Sequence, residues 1–208
     1  LDRKQGLAMV EEVRQKIQGH GRQALYFNVN AADPEKRKEV VDTLAERKAN
    51  VAVLLHSLAF GALKPFIAED RISEAQMDMT LNVMGHSLVY WTQDIVLRGL
   101  MGEGGRIFSM TSSGSTRALH AYGAVSAAKC ALESHTRQLA FELASRHIAV
   151  NSLRAGVTIT AASSKIPGSD KLFEWSAHKN PAKRLTMPAD VAGALVALCH
   201  PDAGWLTG

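Results

Sequence analysis

The sequence predicts an α/β protein built on a doubly wound parallel sheet. Helical and strand-like segments alternate along nearly the whole chain, which is the order of a parallel sheet with helices on its faces. One of the strand-like segments, "VAVLLHS", is a continuous apolar run, which suits a parallel strand covered on both faces. With 208 residues, of which 46% are hydrophobic and 21% charged, the chain is long enough for one substantial core. We therefore expect a single domain over residues 1–208.

Five segments have helical spacing of apolar residues or clear start signals. The first places apolar residues on one face from Leu7 to Ile17. In the second, Asp33 is the expected N-cap, and Pro34 follows at the first helical position. The predicted helices cover residues 7–18, 33–47, 74–101, 122–146 and 190–199.

Four shorter segments are strand-like. They are "QALYFNVN" (23–30), "VAVLLHS" (51–57), "RIFSMTS" (106–112) and "HIAVNSLRAG" (147–156). The stretch from Thr158 to Pro181 is weakly patterned and is predicted to be a loop, which at this length is often a lid or a binding loop.

Charge and cysteine content exclude several classes of protein. The formal charge of +4 is dispersed, with Lys36, Arg37 and Lys38 as the one compact basic run, so no nucleic-acid partner is expected. No apolar run approaches the roughly 18 residues of a membrane span. Cys130 and Cys199 have no metal-binding pattern around them, so we expect no metal and reduced thiols in the cytoplasm.

The stretch "YGAVSAAK" places Tyr122 and Lys129 seven residues apart at the start of a predicted helix. Seven helical residues advance about 10.5 Å and nearly two turns, so the two side chains share a face. The small residues between them would let a flat cofactor approach. A helix start with an ordinary aromatic residue is the alternative interpretation of this stretch taken alone.

Four strand ends, "NVNAAD", "LLHSLAFG", "SMTSSGS" and "LRAGVTIT", accompany the tyrosine–lysine pair. Together they resemble the short-chain dehydrogenase/reductase family, which implies a Rossmann-like sheet with ligands at its carboxyl edge. The six-residue interval and "HSLAF" are most similar to the enoyl-acyl-carrier-protein reductases, and residues 105–144 resemble their type III branch. Ketone-reducing members have three residues between the tyrosine and the lysine. With Lys129 as the lysine, their tyrosine would stand at position 125, which is a valine here.

The resemblance implies a role for each residue of the active site. Tyr122 would stabilise the enolate of the substrate, while Lys129 would hold the cofactor ribose and place a positive charge beside the tyrosine. Ser112 would orient the substrate carbonyl, Asn82 would brace the lysine through water, and Gly61 would lie toward the acyl chain.

Alternatives remain open for two of these positions, Ser112 and Asn82. The hydroxyls of Thr111, Ser113 and Ser115 compete with that of Ser112. An asparagine within a helix can simply bend it, and the lone histidine His56 is expected to be structural.

The same resemblance implies a nicotinamide cofactor. Its binding residues would be Asn30, Ala31, Ser57, Leu58, Ala59, Lys129, Gly156, Val157, Thr158 and Thr160. Thr158 departs from the family, which usually has isoleucine there. For cofactor preference, Asp2 would favour NADH, whereas Arg3 and Lys4 would favour NADPH. Type III relatives use mostly NADPH, so NADPH is expected, with NADH as the alternative.

Two expected pieces of the fold do not occur in the sequence. No G-x-x-x-G-x-G motif is present, and no strand follows "WLTG". We therefore expect that the first strand with its glycine-rich loop and the last strand belong to a longer protein, since the sequence starts with Leu1. A complete protein without the glycine loop should bind the cofactor poorly.

The predicted activity is that of an enoyl-acyl-carrier-protein reductase of fatty-acid synthesis. It would transfer hydride from NAD(P)H to the β-carbon of a trans-2-enoyl thioester carried by the acyl carrier protein. One alternative is a reductase of a 3-oxoacyl thioester or another ketone or alcohol, and another is a non-catalytic cofactor-binding scaffold. By resemblance we also expect a homotetramer.

Overall fold

The computed structural model describes the backbone of residues 3–208 and the side chains of residues 6–208. Its centre is a three-stranded parallel sheet in the order β1-β2-β3. The strands are β1 (Val53–His56), β2 (Arg106–Met110) and β3 (Ala149–Leu153). The α/β fold with a parallel sheet is confirmed. Asp2 and the side chains of Arg3 and Lys4, on which the cofactor preference depends, lie outside the described residues.

Seven α-helices are described around this sheet within residues 3–208. They are α1 (Arg3–Gly19), α2 (Pro34–Glu46), α3 (Glu74–Leu81), α4 (Ser87–Leu97), α5 (Gly123–Leu143), α6 (Ser169–Lys179) and α7 (Pro188–Leu198). None of the described helices is long and apolar enough to cross a lipid bilayer.

Local side-chain bonds fix where two of the helices begin. The Asp33 carboxylate accepts hydrogen bonds from the backbone N–H groups of Glu35 at 2.9 Å and Lys36 at 3.1 Å, which confirms it as the N-cap of α2. At α3, Ser73 and Gln76 form a reciprocal capping box, with bonds of 3.2 and 3.1 Å. Both starts are therefore set by neighbours in the sequence.

The core consists of two clusters of buried apolar side chains. The larger one fills the space between the sheet and the helices α4 and α5, and it includes Leu88, Ile107 and Leu132, all fully buried. Burying a side chain of this size contributes about 1.5 to 3 kcal/mol. The smaller cluster lies where α3 and α5 meet and includes Met84 and Tyr122. The tyrosine of the predicted site is thus part of a packed core.

A π-helical turn, Asn82–His86, separates α3 from α4, where the sequence predicted one continuous helix over residues 74–101. The backbone N–H of Ser87 bonds to the Asn82 carbonyl, five residues back. The turn packs closely on α5, because a Cβ at Gly85 would lie 3.1 Å from the Ala128 carbonyl oxygen. The π turn brings the backbone at Gly85 this close to α5, and a side chain larger than glycine would crowd the contact.

The predicted strand over residues 23–30 is wrong. The segment has no regular secondary structure and pairs with no strand among the described residues. In the doubly wound order 3-2-1-4-5-6, the third strand lies at the edge of the sheet and pairs only with the second. Residues 23–30 would be that third strand. Among the described residues they have no such partner, because β1 pairs only with β2. Without a neighbour, Leu25, Tyr26 and Phe27 remain 40 to 43% exposed.

The predicted loop from Thr158 to Pro181 is also wrong in part, because it contains α6 (Ser169–Lys179). No side chain of α6 is fully buried, so its apolar pattern is weak in the sequence. Other boundaries moved by a few residues: α5 ends at Leu143 instead of residue 146, and α7 begins at Pro188 instead of residue 190.

Candidate active site

Tyr122 and Lys129 lie together at the carboxyl edge of the sheet. Tyr122 is the N-cap residue of α5, and both side chains are buried, with 8% and 5% exposed. The turn before the helix sets this position: Ala121 has a left-handed φ of 57°, and the Tyr122 N–H bonds to the Leu119 carbonyl at 3.2 Å. A buried phenol and a buried ammonium on one helix face are therefore built in by the turn and the spacing.

Ser112 is the polar partner of the tyrosine. The Tyr122 hydroxyl donates to Ser112 Oγ at 3.4 Å, and the Gly114 N–H donates to the same oxygen at 3.1 Å. Ser112 Oγ thus accepts two bonds, while its own proton has no acceptor among the described residues. The ring of Tyr122 packs so tightly on Gly114 that a Cβ there would overlap it.

Two hydroxyls that competed with Ser112 in the sequence are engaged elsewhere. Thr111 Oγ1 donates to Glu133 Oε1 at 2.6 Å, and Ser115 Oγ donates to the same atom at 2.8 Å. Arg154 also contacts this carboxylate, at 3.2 Å. Burial is the largest single effect and raises the pKa of Glu133, but the hydrogen bonds from these three groups together hold it below its usual value. Glu133 could not be predicted from a local pattern, because its partners are 18 to 22 residues away.

The Lys129 ammonium is held by backbone carbonyls at the ends of two strands. Nζ donates to the Met110 oxygen at 2.7 Å and reaches the Leu58 oxygen at 3.5 Å. An ammonium has three donors, so at least one N–H has no partner among the described residues. Burial lowers the pKa of Lys129 from the ordinary 10.5 to about 8.

His56, at the end of β1, lies in the same buried region. Its Nε2 is 2.7 Å from Ser87 Oγ, and its Nδ1 has no partner in the described part of the chain. Burial, together with the charge of Lys129, lowers the pKa of His56 to about 4. The sequence offered no signal for Ser87, because 31 residues separate it from the histidine.

Asn82 is the first residue of the π turn that packs on α5. Its side chain makes no hydrogen bond to the other described residues. The expectation that it braces the lysine through water stays a prediction.

Gly61 packs against the protein. A Cβ at this position would lie 2.7 Å from Thr80 Cγ2, 2.9 Å from Met84 Sδ and 3.1 Å from Val125 Cγ2. The N–H of Ala62 bonds to Thr80 Oγ1 at 3.0 Å. A larger residue at position 61 would therefore collide with these three side chains, and Gly61 can contact a substrate only through its backbone.

Asn30 and Ala31, at the end of the unpaired segment 23–30, take part in local hydrogen bonds. Asn30 Oδ1 accepts from the Ala32 N–H at 3.1 Å, and the Ala31 carbonyl accepts from Trp91 Nε1 at 2.8 Å. Ser57, Leu58 and Ala59 follow the end of β1 directly, and the Leu58 carbonyl faces Lys129. These three residues thus lie beside the lysine of the candidate site.

The segment after β3 is tied down by two residues that sequence analysis missed. The Thr186 N–H bonds to the Val157 carbonyl at 3.1 Å, and Thr186 Oγ1 packs against Gly156 so closely that a Cβ there would overlap it. Ser163 Oγ donates to the Thr158 carbonyl at 2.8 Å and accepts from the Thr160 N–H, also at 2.8 Å. The hydroxyls of Thr158 and Thr160 are likewise bonded within this loop.

A cavity of about 510 Å³ opens beside Tyr122. Apolar residues supply most of its wall, and two basic residues add positive charge. The lining residues include Pro65, Phe66, Leu119, Ala121 and Ala127, with Lys64 and Arg117 as the basic ones. A largely apolar cavity of this size beside a buried hydroxyl suits an acyl chain.

The parallel sheet and the tyrosine–lysine pair at its carboxyl edge define a short-chain dehydrogenase/reductase. The particular family follows from the sequence as a whole, because the family described as Enoyl-(Acyl carrier protein) reductase matches residues 2–208. The chain belongs to this family of oxidoreductases.

Individual relatives agree with this assignment. The chain is 28% identical over 186 residues to the enoyl-[acyl-carrier-protein] reductase [NADH] FabI of Nostoc sp., covering 89% of this chain and 71% of the relative. It is 30% identical over 202 residues to the chloroplastic enoyl-[acyl-carrier-protein] reductase [NADH] 1 of rice, Oryza sativa subsp. japonica, covering 95% of this chain and 51% of the relative. The chain therefore spans between about half and three quarters of the length of these relatives.

A solved structure gives the same result. The enoyl-[acyl-carrier-protein] reductase (NADH) of Aquifex aeolicus VF5 superimposes with a TM-score of 0.84 at 25% identity, covering 96% of this chain and 78% of that one. The assignment to the type III branch stays a prediction, because the names of these relatives do not state a branch.

Proposed function

We propose that this chain reduces an enoyl thioester carried by acyl carrier protein, with Tyr122 as the hydrogen-bond donor to the thioester oxygen. One observation carries the proposal: the Tyr122 hydroxyl and the Lys129 ammonium are both buried on one face of α5, with Ser112 Oγ 3.4 Å from the phenol. The interval of six residues between them is the one found in enoyl reductases.

The residues at the site fit a nicotinamide cofactor. The observation that supports the fit is the spare N–H capacity of Lys129, whose contact with the Leu58 oxygen is a long 3.5 Å. Lys129 would hold the ribose hydroxyls, while Ser57, Ala59 and Val157 would line the site with their backbone. When bound, the cofactor supplies the hydride that adds to the β-carbon of the substrate.

NADH is the proposed form of the cofactor. The Nostoc, rice and Aquifex relatives are all named as NADH enzymes. The earlier expectation of NADPH finds no support in those names.

The chain's own groups act on charge and protons. Reduction at the β-carbon moves negative charge onto the thioester oxygen, and donors fixed in advance stabilise that charge. Tyr122 is one such donor. Ser112 is the second, because its proton is free within the described residues, and the single proton of Tyr122 turns from Ser112 Oγ to the thioester oxygen when the substrate binds. The buried charge of Lys129 acts more strongly on the oxygen than it would in water.

A ketone or alcohol reductase is the second candidate, in which Tyr122 would donate its proton to the developing alkoxide. The observation against it is Val125. This residue stands where a ketone reductase with three residues between tyrosine and lysine would have its tyrosine, and it is buried in the apolar cluster around Met84. Fold alone does not separate these two reactions.

One assay distinguishes the candidates. The protein is mixed with NADH or NADPH and then with crotonyl or acetoacetyl thioester, while absorbance of the reduced nicotinamide is followed. Oxidation with the crotonyl substrate is expected. Oxidation with the acetoacetyl substrate alone would establish the ketone reductase, and cofactor binding without any oxidation would indicate a non-catalytic scaffold.

A homotetramer and a cytoplasmic location complete the proposal. Support for association comes from α4 and α5, which leave large apolar side chains at the surface: Leu97 is 73% exposed and Phe141 is 81% exposed. Contiguous apolar patches often mark contacts between proteins, and the proposal places Leu97 and Phe141 in such a patch. Sedimentation equilibrium would measure the assembly directly, and a monomer at micromolar concentration would contradict it.

A further inference from the structure

His56 is a buried titratable group with no part in the mechanism above. It is the last residue of β1, 4% exposed, and it pairs in register with Ser109 of β2. A buried imidazole needs a partner for each ring nitrogen, because a buried polar atom left unpaired is unfavourable.

The hydrogen-bond network fixes which nitrogen of His56 carries the proton. Ser87 Oγ donates its single proton to the Val83 carbonyl at 2.7 Å. The same oxygen must therefore accept in its 2.7 Å contact with His56 Nε2. Nε2 carries the proton, and Nδ1 is left as a lone-pair acceptor. Val83 lies in the π turn and Ser87 follows it, so this turn sets the state of the histidine.

The free acceptor and the active-site lysine lie at the same sheet edge. Lys129 Nζ bonds to the carbonyl of Met110, the residue after Ser109, and reaches that of Leu58, two residues after His56. Among the described residues, Lys129 is the charged group that acts on His56. The imidazole is neutral at working pH, because its pKa is about 4.

We propose that His56 is a positioning residue for Lys129, holding through Nδ1 a buried water that accepts a hydrogen bond from the ammonium. The water would accept from a Lys129 N–H and donate to Nδ1, so both buried groups are satisfied. This bridge stabilises the charged form of the lysine against burial and keeps its nitrogen in place. Its effect on catalysis rests on the proposed function, but its effect on the lysine does not.

A matched pair of variants separates the two sides of the ring. In His56→Asn the amide oxygen can replace Nδ1 as an acceptor, while the bond to Ser87 is lost. In His56→Gln the amide reaches the position of Nε2 and keeps the bond to Ser87, while the acceptor at Nδ1 is lost. A purely structural histidine would tolerate the glutamine better.

The first measurement is the titration of Lys129 in the whole chain by NMR of lysines labelled with 13C at Cε, assigned by the loss of the signal in Lys129→Arg. We expect His56→Gln to lower the pKa of Lys129 by about one unit, since a hydrogen bond to a charged group is worth about that much. His56→Asn should leave it nearly unchanged. Equal titration in wild type and His56→Gln would overturn the proposal.

The second measurement is 15N NMR of the His56 ring, where we expect a protonated Nε2. A protonated Nδ1 would overturn the proposal. If His56→Gln does not fold, Ser87→Ala takes its place: removing the hydroxyl should release the proton from Nε2 and lower the pKa of Lys129. An unchanged lysine pKa in folded Ser87→Ala, with the proton moved to Nδ1, would equally contradict the bridge.

The activity assay keeps this proposal distinct from the proposed function. In an active enzyme, the alkaline decline of kcat should move to lower pH in His56→Gln and not in His56→Asn. If wild type oxidises no cofactor while the lysine titration still depends on His56, the function fails and the bridge stands. If enoyl reduction occurs and both variants titrate like wild type, only the bridge fails.

Discussion

At the scale of single residues, the proposed chemistry depends on the Tyr122 hydroxyl. Tyr122→Phe removes the donor and leaves the ring packed on Gly114, so the fold should be unaffected. We expect kcat to fall about 100-fold or more, the size of loss seen when a transition-state donor is removed. Cofactor affinity, measured by fluorescence titration, should change less than about two-fold, whereas a parallel loss of affinity would make the tyrosine structural.

Lys129 is predicted to trade stability for function. Its pKa is about 8 in the folded protein and 10.5 when exposed, so below pH 8 folding must bury a charge that the unfolded chain solvates. Lys129→Met should therefore abolish activity yet raise the free energy of unfolding at pH 7 by up to about 3 kcal/mol.

The pH dependence of that difference has a definite sign. Between pH 8 and 10.5 Lys129 binds more protons in the unfolded chain than in the folded one, so the contribution of this residue to stability rises with pH. Urea unfolding should show the gain of Lys129→Met shrinking across this window. Lys171→Met, on the exposed surface of α6, is the control and should show no such trend.

At the scale of elements, the short turn before α5 positions the tyrosine. Gly114→Ala would push a methyl group into the Tyr122 ring, and the backbone at this glycine is otherwise acceptable to alanine. Displacing a catalytic group by about 1 Å can lower turnover by up to 100-fold. We expect a fall in kcat of about 10- to 100-fold.

Gly102→Ala is the matched control for Gly114→Ala. A Cβ at Gly102 meets nothing within 4 Å. Its kcat should equal that of wild type, and a drop of the same size in both variants would remove the role assigned to the turn.

Elements with local signals were predictable from the sequence. Helix α2 was found from Asp33 and Pro34, and the tyrosine–lysine helix from its small residues and spacing. The π turn was not found, because it depends on backbone contact between Gly85 and Ala128, which no local pattern reports. Helix α6 was missed because it buries no side chain fully.

At the scale of the whole molecule, Arg106 joins the beginning of β2 to the end of α7. It is 5% exposed, and its guanidinium donates to the Gly104 carbonyl at 2.7 Å and to the Leu198 carbonyl at 3.4 Å. A positive charge at a helix C-terminus also interacts favourably with the negative end of the helix dipole. Arg106→Met should lower the free energy of unfolding by about 1 to 3 kcal/mol.

Thermal and urea unfolding would measure the effect of Arg106→Met. The exposed Arg22→Met serves as the control and should change stability by less than about 0.5 kcal/mol. Equal stability of the two variants would mean that the buried guanidinium contributes no more than a surface one.

The parallel sheet was predicted correctly in type but not in extent. Its carboxyl edge brings Ser112, which follows β2, together with Tyr122 and Lys129 of the α5 segment. Its width was overestimated, because the pattern of residues 23–30 says nothing about whether a pairing partner is present. Val53 and Leu55 of β1 remain 37% and 45% exposed, which is unusual for a strand of this apolar composition.

The π turn has a consequence for how this protein tolerates change in length. A π turn closes its hydrogen bond over five residues instead of four, so Asn82–His86 accommodates about one residue more than regular α-helical winding. Removing one residue there would restore α-helical winding and leave α3 and α4 nearly in register, so Ser87 would stay at His56 and Leu88 in the core. The same deletion within α3 would rotate the preceding residues by about 100° against α4. The π turn is therefore the place in this segment where a single-residue deletion should cost least.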